Sequence, residues 1–215
     1  MLFNVANLIN NAFASYDYAI LEALHKFLEA TNGFFTPFFK FISLLGEKGI
    51  FLILLSIILM LFKKTRKLGI CIFGAIGCGA IFTNIILKDL IARPRPFIDT
   101  LGIYNTWWKD AGSVMEDGFS FPSGHATAAS AFAMSVFLIC DKKKGWSAFI
   151  FLILMGISRN YLMVHYPSDI LGGIASGFTA SVIAYFITKL IYKVAEKYKD
   201  KKLFDLILNF DILDL

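Results

Sequence analysis

Five apolar runs dominate the chain: residues 49–62, reaching back through Ile42, Leu44 and Leu45, then 68–87, 126–140, 146–157 and 170–192. Most approach the roughly twenty residues that cross a bilayer as a helix. Short charged breaks separate them: Lys63-Lys64-Thr65-Arg66-Lys67 follows the first, and Asp141-Lys142-Lys143-Lys144 follows the third. Residues 1–45 follow a different pattern. Ile20, Leu21, Leu24, Phe27 and Leu28 recur at helical spacing with Glu22, His25, Lys26 and Glu29 between them, and a phenylalanine-rich stretch, 34–41, follows. That alternation suits helices lying at a membrane interface better than a span. The pattern predicts an all-α polytopic transmembrane helix bundle of about five or six spans with N-terminal amphipathic interfacial helices. It divides into an N-terminal segment, 1–45, a transmembrane unit, 46–193, and a tail, 194–215, whose leucines and aspartates suit the membrane surface.

Composition agrees with the pattern. Of 215 residues 57% are hydrophobic and 17% charged, and the mean hydropathy is +0.67, which excludes a soluble domain of ordinary composition. One membrane domain is expected. The net charge of +5 does not point to nucleic acid, because the basic residues cluster between apolar runs as topology signals do. Cys71, Cys78 and Cys140 lie inside apolar stretches with no CxxC partner and read as small buried hydrophobes. No signal peptide is expected, since Asn4, Asn7, Asn10 and Asn11 interrupt any apolar core.

The charges also orient the bundle. The turns at 63–67 and 141–144 and the end of the last run carry Lys63, Lys64, Arg66, Lys67, Lys142, Lys143, Lys144, Lys189, Lys193 and Lys197, which marks that side as cytoplasmic. The opposite side carries far fewer cations and holds His125 and His165. The expected location is therefore a plasma membrane, with the chemistry facing away from the cytoplasm and the N-terminal segment on that outer side.

Lys88, Arg95 and Arg159 fall at or near the ends of spans. An unpartnered cation inside a span costs about 2.5 to 3.5 kcal/mol, so something anionic is expected nearby, although snorkelling to headgroups accounts for any one of them. Ser123-Gly124-His125 opens the third run, where free backbone N–H groups face outward and suit an anion. A serine capping a transmembrane helix is the ordinary alternative. His165 stands just before the fifth run, with Pro167 suited to a first helical turn. Asp169, four residues on, can share a face with His165 if the turn is helical, where it can accept the Nδ1 proton and leave Nε2 as a nucleophile, although Ser168 or Asp169 as a plain helix cap is the ordinary alternative. Two of three histidines thus occupy helix starts on the side of three span-end cations. No ligand set for Mg²⁺ or Zn²⁺ is visible, and no cofactor is expected.

These residues resemble the type 2 phosphatidic acid phosphatase superfamily. Its three signature parts occur in order: Lys88-Asp89-Leu90-Ile91-Ala92-Arg93-Pro94-Arg95-Pro96 matches Lys-x6-Arg-Pro, Pro122-Ser123-Gly124-His125 matches the second part, and the segment from Ser158-Arg159 through His165 to Asp169 matches Ser-Arg-x5-His-x3-Asp. The resemblance implies that His165 attacks phosphorus to give a phosphohistidine, Asp169 orients it, and His125 protonates the leaving oxygen. It assigns Lys88, Arg95, Ser123, Gly124 and Arg159 to holding the phosphate. Fixed cations can perform that work without a metal, because phosphoryl transfer needs mainly positioning and charge stabilisation.

Within that superfamily the chain resembles small bacterial undecaprenyl-diphosphatases and phosphatidylglycerophosphate or phosphatidate phosphatases. The expected partners are therefore a lipid phosphate (undecaprenyl diphosphate, phosphatidate or phosphatidylglycerophosphate) and the bilayer, with no nucleic acid. Oligomeric state is not legible. A lipid phosphotransferase using the same site is one alternative, and a non-catalytic lipid-binding or transport protein is another. Vanadate haloperoxidases share the phosphate-site pattern, but so apolar a chain does not resemble a soluble peroxidase.

Overall fold

A computed structural model describes residues 5–214. Asn4 and Leu215, and the side chain of Lys144, lie outside what is described. Every regular element among the described residues is helical. In chain order these are α1 (Val5–Ala30), α2 (Thr36–Leu45), α3 (Ile50–Leu61), α4 (Arg66–Ala80), α5 (Lys88–Ile91), α6 (Ile103–Asp110), α7 (Gly124–Ile139), α8 (Lys142–Gly145), α9 (Ala148–Tyr161), α10 (Pro167–Lys197) and α11 (Lys202–Asn209). Three stretches are long and apolar enough to cross a membrane: Thr36–Leu61, Arg66–Ile91 and Pro167–Lys197. Two shorter apolar helices, α7 and α9, complete the bundle.

The first of these stretches takes in residues 36–45, which the sequence reading assigned to the N-terminal segment. A single turn at Glu47–Gly49 joins α2 to α3, with Lys48 and Gly49 at positive φ. The aromatic run entering α2 is partly core: Phe39 stacks near Tyr161, with ring centroids 4.3 Å apart. Helix α1 also has an inward face. Asp17, Leu21, His25 and Leu28 are buried at spacings of four, four and three residues. His25 meets Asp110 at 2.9 Å and stacks on Trp107.

Helix α10 is the axis of the bundle, packed along both α7 and α4, while α4 also packs on α3 and α7. Small residues allow that closeness. With no hydrophobic drive between helices in lipid, close van der Waals approach over Gly, Ala and Ser holds spans together. Helix α7 buries Ala128, Ala129, Ala131 and Ala133, and α10 meets it with Gly173 and Gly177. A Cβ on Gly173 would lie 2.6 Å from the Ser123 carbonyl oxygen. The start of α7, with Ser123 to His125, is thereby fixed against the start of α10.

A Cβ at Gly177 would meet Thr127 O at 2.5 Å, Ser130 Cβ at 2.6 Å and Ala131 N at 2.8 Å. Two of these are backbone atoms that cannot swing aside. Gly177→Ala is therefore expected to cost about 1 to 3 kcal/mol as the helices are forced apart. Thermal unfolding in detergent measures this as a lowered Tm; an unchanged Tm would mean the helices are not so closely seated.

Past Ala80, α4 continues as a π-helical segment, Ile81–Leu87, and then as α5 until Ala92 adopts a left-handed conformation. The wider π turn sits at the site end of the bundle, the setting in which such segments recur. At the opposite end, Arg66 is buried and donates to the carbonyls of Met60, Ile207 and Phe210, while Lys63 Nζ reaches Asn209 Oδ1 at 3.0 Å. The tail thus folds back so that α11 rests on the α3–α4 turn. Its side chains include exposed Leu203 and Leu206.

Candidate active site

His165 lies in the short link between α9 and α10, with 1% of its surface exposed. The link is held by its own capping. Tyr166 is the N-cap of α10, its backbone N–H donates to Asp169 Oδ2 at 2.8 Å, and Pro167 occupies the first turn. The same Asp169 oxygen lies 3.5 Å from His165 Nδ1, which makes no hydrogen bond as it stands, a separation that a substrate-bound site can tighten. His165 Nε2, on the other side of the ring, is 3.2 Å from Arg95 Nη1.

Arg95 cannot swing freely. Its guanidinium donates to the carbonyls of Val164 at 3.0 Å, Gly118 at 3.0 Å and Asp117 at 2.8 Å. Arg159, in the last turn of α9, is fully buried and donates to the Ser43 hydroxyl and the Glu116 carboxylate. Glu116 also lies 3.6 Å from Arg95. It brings to the two arginines the negative charge that a phosphate oxygen would bring. Lys88 completes the cation set from the end of the π segment, and His125 projects from the first turn of α7 with Nε2 3.5 Å from Glu47 Oε2.

These groups surround a cavity of about 430 Å³, lined by Lys88, Arg95, Glu116, Gly124, His125 and His165 among others, within the usual range for small-molecule sites. Arg159 borders it through Glu116. Ser123 does not line it: its Oγ accepts from Ala126 N–H at 3.4 Å as the cap of α7, and its own N–H donates to the Asp169 carbonyl at 3.1 Å. Gly124 does line it, so the backbone opening α7 faces the cavity. Asp169 stands behind His165, outside the lining.

Burial, then the charges of Arg95, Arg159 and Lys88, hold the His165 imidazole well below its ordinary pKa of 6.5. Both causes disfavour the protonated ring, so neutral Nε2 persists as pH falls. The acid limb of kcat/KM that reports His165 is expected below pH 6.5. Replacing Arg95 with glutamine is expected to move that limb upward, because one opposing charge is gone. A pH–rate profile checks this; an unmoved limb would mean Arg95 does not act on His165.

Several participants carried no sequence signal strong enough to single them out. Arg93 was legible only as part of an Arg-Pro-Arg-Pro run, and Asp17 only as a polar residue within an amphipathic helix. Glu116 and Glu47 come from separate connecting segments. With His125 these two glutamates bring three ligand-capable atoms within 4.8 Å of one another, a grouping that spacing did not reveal. Two held arginines nearby, with Arg159 bonded to Glu116 and Arg95 3.6 Å from it, set positive charge against any cation there.

Fold and site together define a multi-pass membrane protein in which two imidazoles and fixed cations face one cavity suited to an oxyanion. The profile of the PAP2 superfamily matches residues 68–193, and the chain belongs to that superfamily, as its three motifs had indicated. It is 32% identical over 167 residues to a lipid A 4'-phosphatase of Bacteroides thetaiotaomicron, covering 73% of this chain and 72% of the relative. It is 30% identical over 181 residues to an undecaprenyl-diphosphatase of Bacillus subtilis, covering 84% of each. The crystal structure of a transmembrane PAP2-type phosphatidylglycerolphosphate phosphatase from Bacillus subtilis matches with a TM-score of 0.62 and 28% identity over 92% of each chain. The chain is accordingly a membrane phosphatase.

Proposed function

We propose that this protein hydrolyses a lipid-linked phosphate or diphosphate through a phosphohistidine on His165, without a metal, at the extracytoplasmic face of the plasma membrane. The observation that carries the proposal is the setting of His165. Its Nε2 is turned to Arg95 on the cavity side and its Nδ1 to Asp169 behind, the disposition a nucleophilic imidazole needs.

Lys88, Arg95 and Arg159 hold the phosphate oxygens, with the Gly124 amide contributing from the α7 terminus. His165 Nε2 bonds to phosphorus as the bond to the leaving oxygen breaks, and His125 gives that oxygen a proton. Glu47 Oε2 lies 3.5 Å from His125 Nε2. Water then attacks the phosphohistidine, surrendering a proton to His125 while phosphate departs and His165 returns to the neutral ring. Ser123, assigned to the phosphate by the sequence, supports this site as the cap that places Gly124 and His125.

The distribution of lysines and arginines supports an outward-facing site. In this reading residues 46–193 form the catalytic unit, with 1–45 at the outer surface and 194–215 in the cytoplasm. The candidate substrates are undecaprenyl diphosphate, phosphatidate and phosphatidylglycerophosphate, whose tails reach the cavity laterally from the bilayer. The test is phosphate release from each by purified protein in detergent with EDTA present. Release from at least one is expected. Activity on water-soluble esters alone would overturn the lipid assignment, and EDTA-sensitive activity restored by a divalent cation would overturn metal independence. Transfer of phosphate to an added lipid in preference to water would make the protein a phosphotransferase.

A further inference from the structure

Helix α1 precedes the region matched by the superfamily profile, residues 68–193, yet it reaches the back of the site. Arg93, 1% exposed, is the link. Its Nη1 donates to Asp169 Oδ1 at 2.7 Å and to Ser168 Oγ at 2.7 Å, its Nη2 to Asp17 Oδ2 at 2.8 Å, and its Nε to Asn10 Oδ1 at 2.8 Å. The guanidinium also lies 3.9 Å from the Tyr166 ring centroid. Asp17, 2% exposed, closes the circuit by accepting from the Ser168 backbone N–H at 2.8 Å and from its hydroxyl at 2.7 Å.

A buried arginine between two buried carboxylates is expensive to assemble unless each hydrogen bond is made. Here they are made, and one of the carboxylates faces His165. We infer that Asp17 is a positioning residue for phosphoryl transfer, acting through Arg93 to set how firmly Asp169 holds the His165 Nδ1–H.

The charge count gives the reason. Arg93 with ionised Asp17 and Asp169 sums to one negative charge beneath His165, which carries one positive charge when its ring bears both the phosphoryl group and the Nδ1 proton. Neutralising Asp17 leaves Arg93 to Asp169 alone. The arginine then draws more strongly on Asp169 through Oδ1, which leaves less negative charge on the Oδ2 that faces His165, and the net negative charge facing the intermediate is cancelled. Asparagine also turns an N–H donor toward either Ser168 or Arg93, where the native carboxylate only accepts. Structure in α1 thereby reaches the reacting ring without touching substrate.

This inference rests on the roles proposed above for His165 and Asp169, and a double-mutant cycle separates the two. Asp17→Asn is expected to lower kcat on the order of 10-fold to 100-fold, the range for outer groups that orient an imidazole, with KM changed less than about twofold. In an Asp169→Asn background, which is itself strongly impaired, the same substitution is expected to cost less than about twofold further. Leu21→Ala, one turn along α1 and away from Arg93, serves as the packing control, with equal factors expected in both backgrounds. Should Asp17→Asn not accumulate as folded protein, Ser168→Ala carries the same cycle with both charges kept. A loss of about threefold to tenfold that disappears when Asp169 is already replaced is then expected. Wild-type kcat in Asp169→Asn would overturn the Asp169 assignment itself. Wild-type kcat in Asp17→Asn, or equal losses in both backgrounds, would overturn the role of Asp17 alone.

Discussion

His165→Ala is expected to lose turnover by a factor on the order of 10⁴ or more while still binding lipid phosphate within a few-fold of wild type. The two halves of this expectation come from different residues. The bond to phosphorus is assigned to His165 Nε2 alone, and among the described residues no other nucleophile lining the cavity stands between Asp169 and a held arginine. Affinity is assigned to Lys88, Arg95 and Arg159, which the substitution leaves in place. Arg95 is held by the carbonyls of Val164, Gly118 and Asp117, so it does not depend on the imidazole for its position. Turnover is read by phosphate release and affinity by displacement of a fluorescent lipid phosphate. Loss of both together would assign His165 to binding rather than to the chemical step, and retained turnover would remove it from the mechanism.

The second large effect belongs to His125. His125→Ala is expected to reduce turnover of a lipid phosphate by about 10²-fold to 10⁴-fold, the usual contribution of a positioned acid–base group. The loss is expected to depend on the leaving group. An alkoxide departing from a lipid needs the proton, whereas an aryl oxide such as that of 4-nitrophenyl phosphate does not. With the aryl ester, the variant is therefore expected to release one equivalent of nitrophenol in a rapid burst and then stall, because the second step also uses His125 to take the proton of water. Pre-steady-state burst kinetics with the ester in several-fold excess over enzyme measure this. An equal loss for both esters with no burst would show that His125 serves some other purpose, such as holding Glu47 in place.

Both expectations concern residues that were legible in the sequence, and the reason is physical. The two imidazoles and the three cations assigned to the phosphate sit at helix starts or span ends, where an ionisable group within an apolar chain stands out against its surroundings. The spacing of Lys88 to Arg95, and of Arg159 to His165 to Asp169, reflects short stretches of backbone that each carry two or three site groups. Helical class and membrane character were legible for the same reason, since long apolar runs leave few alternatives.

What escaped was everything that depends on two distant segments meeting. Asp17 and Arg93 are 76 residues apart, and nothing in the alternation along α1 distinguishes an aspartate facing solvent from one facing a buried guanidinium. Glu116 belongs to the long loop, where acidic residues are ordinary, and only the fold brings it onto Arg159. Ser123 illustrates the opposite difficulty: a serine at a helix start can cap the helix or face an anion, and its Oγ is used for the cap. The aromatic run at 34–41 read as interfacial because phenylalanine suits a headgroup boundary. Its continuation through α2 into α3 depends on a turn at Lys48 and Gly49 that local hydropathy does not encode.

The central claim is a covalent bond between phosphorus and His165. Purified protein mixed with a ³²P-labelled lipid phosphate and quenched within milliseconds tests it most directly. The expected result is protein-bound label that survives alkali, is lost in acid, maps to the peptide carrying His165, and forms and decays fast enough to account for turnover. Steady release of phosphate with no such label at any quench time, or label on another residue, would contradict the account.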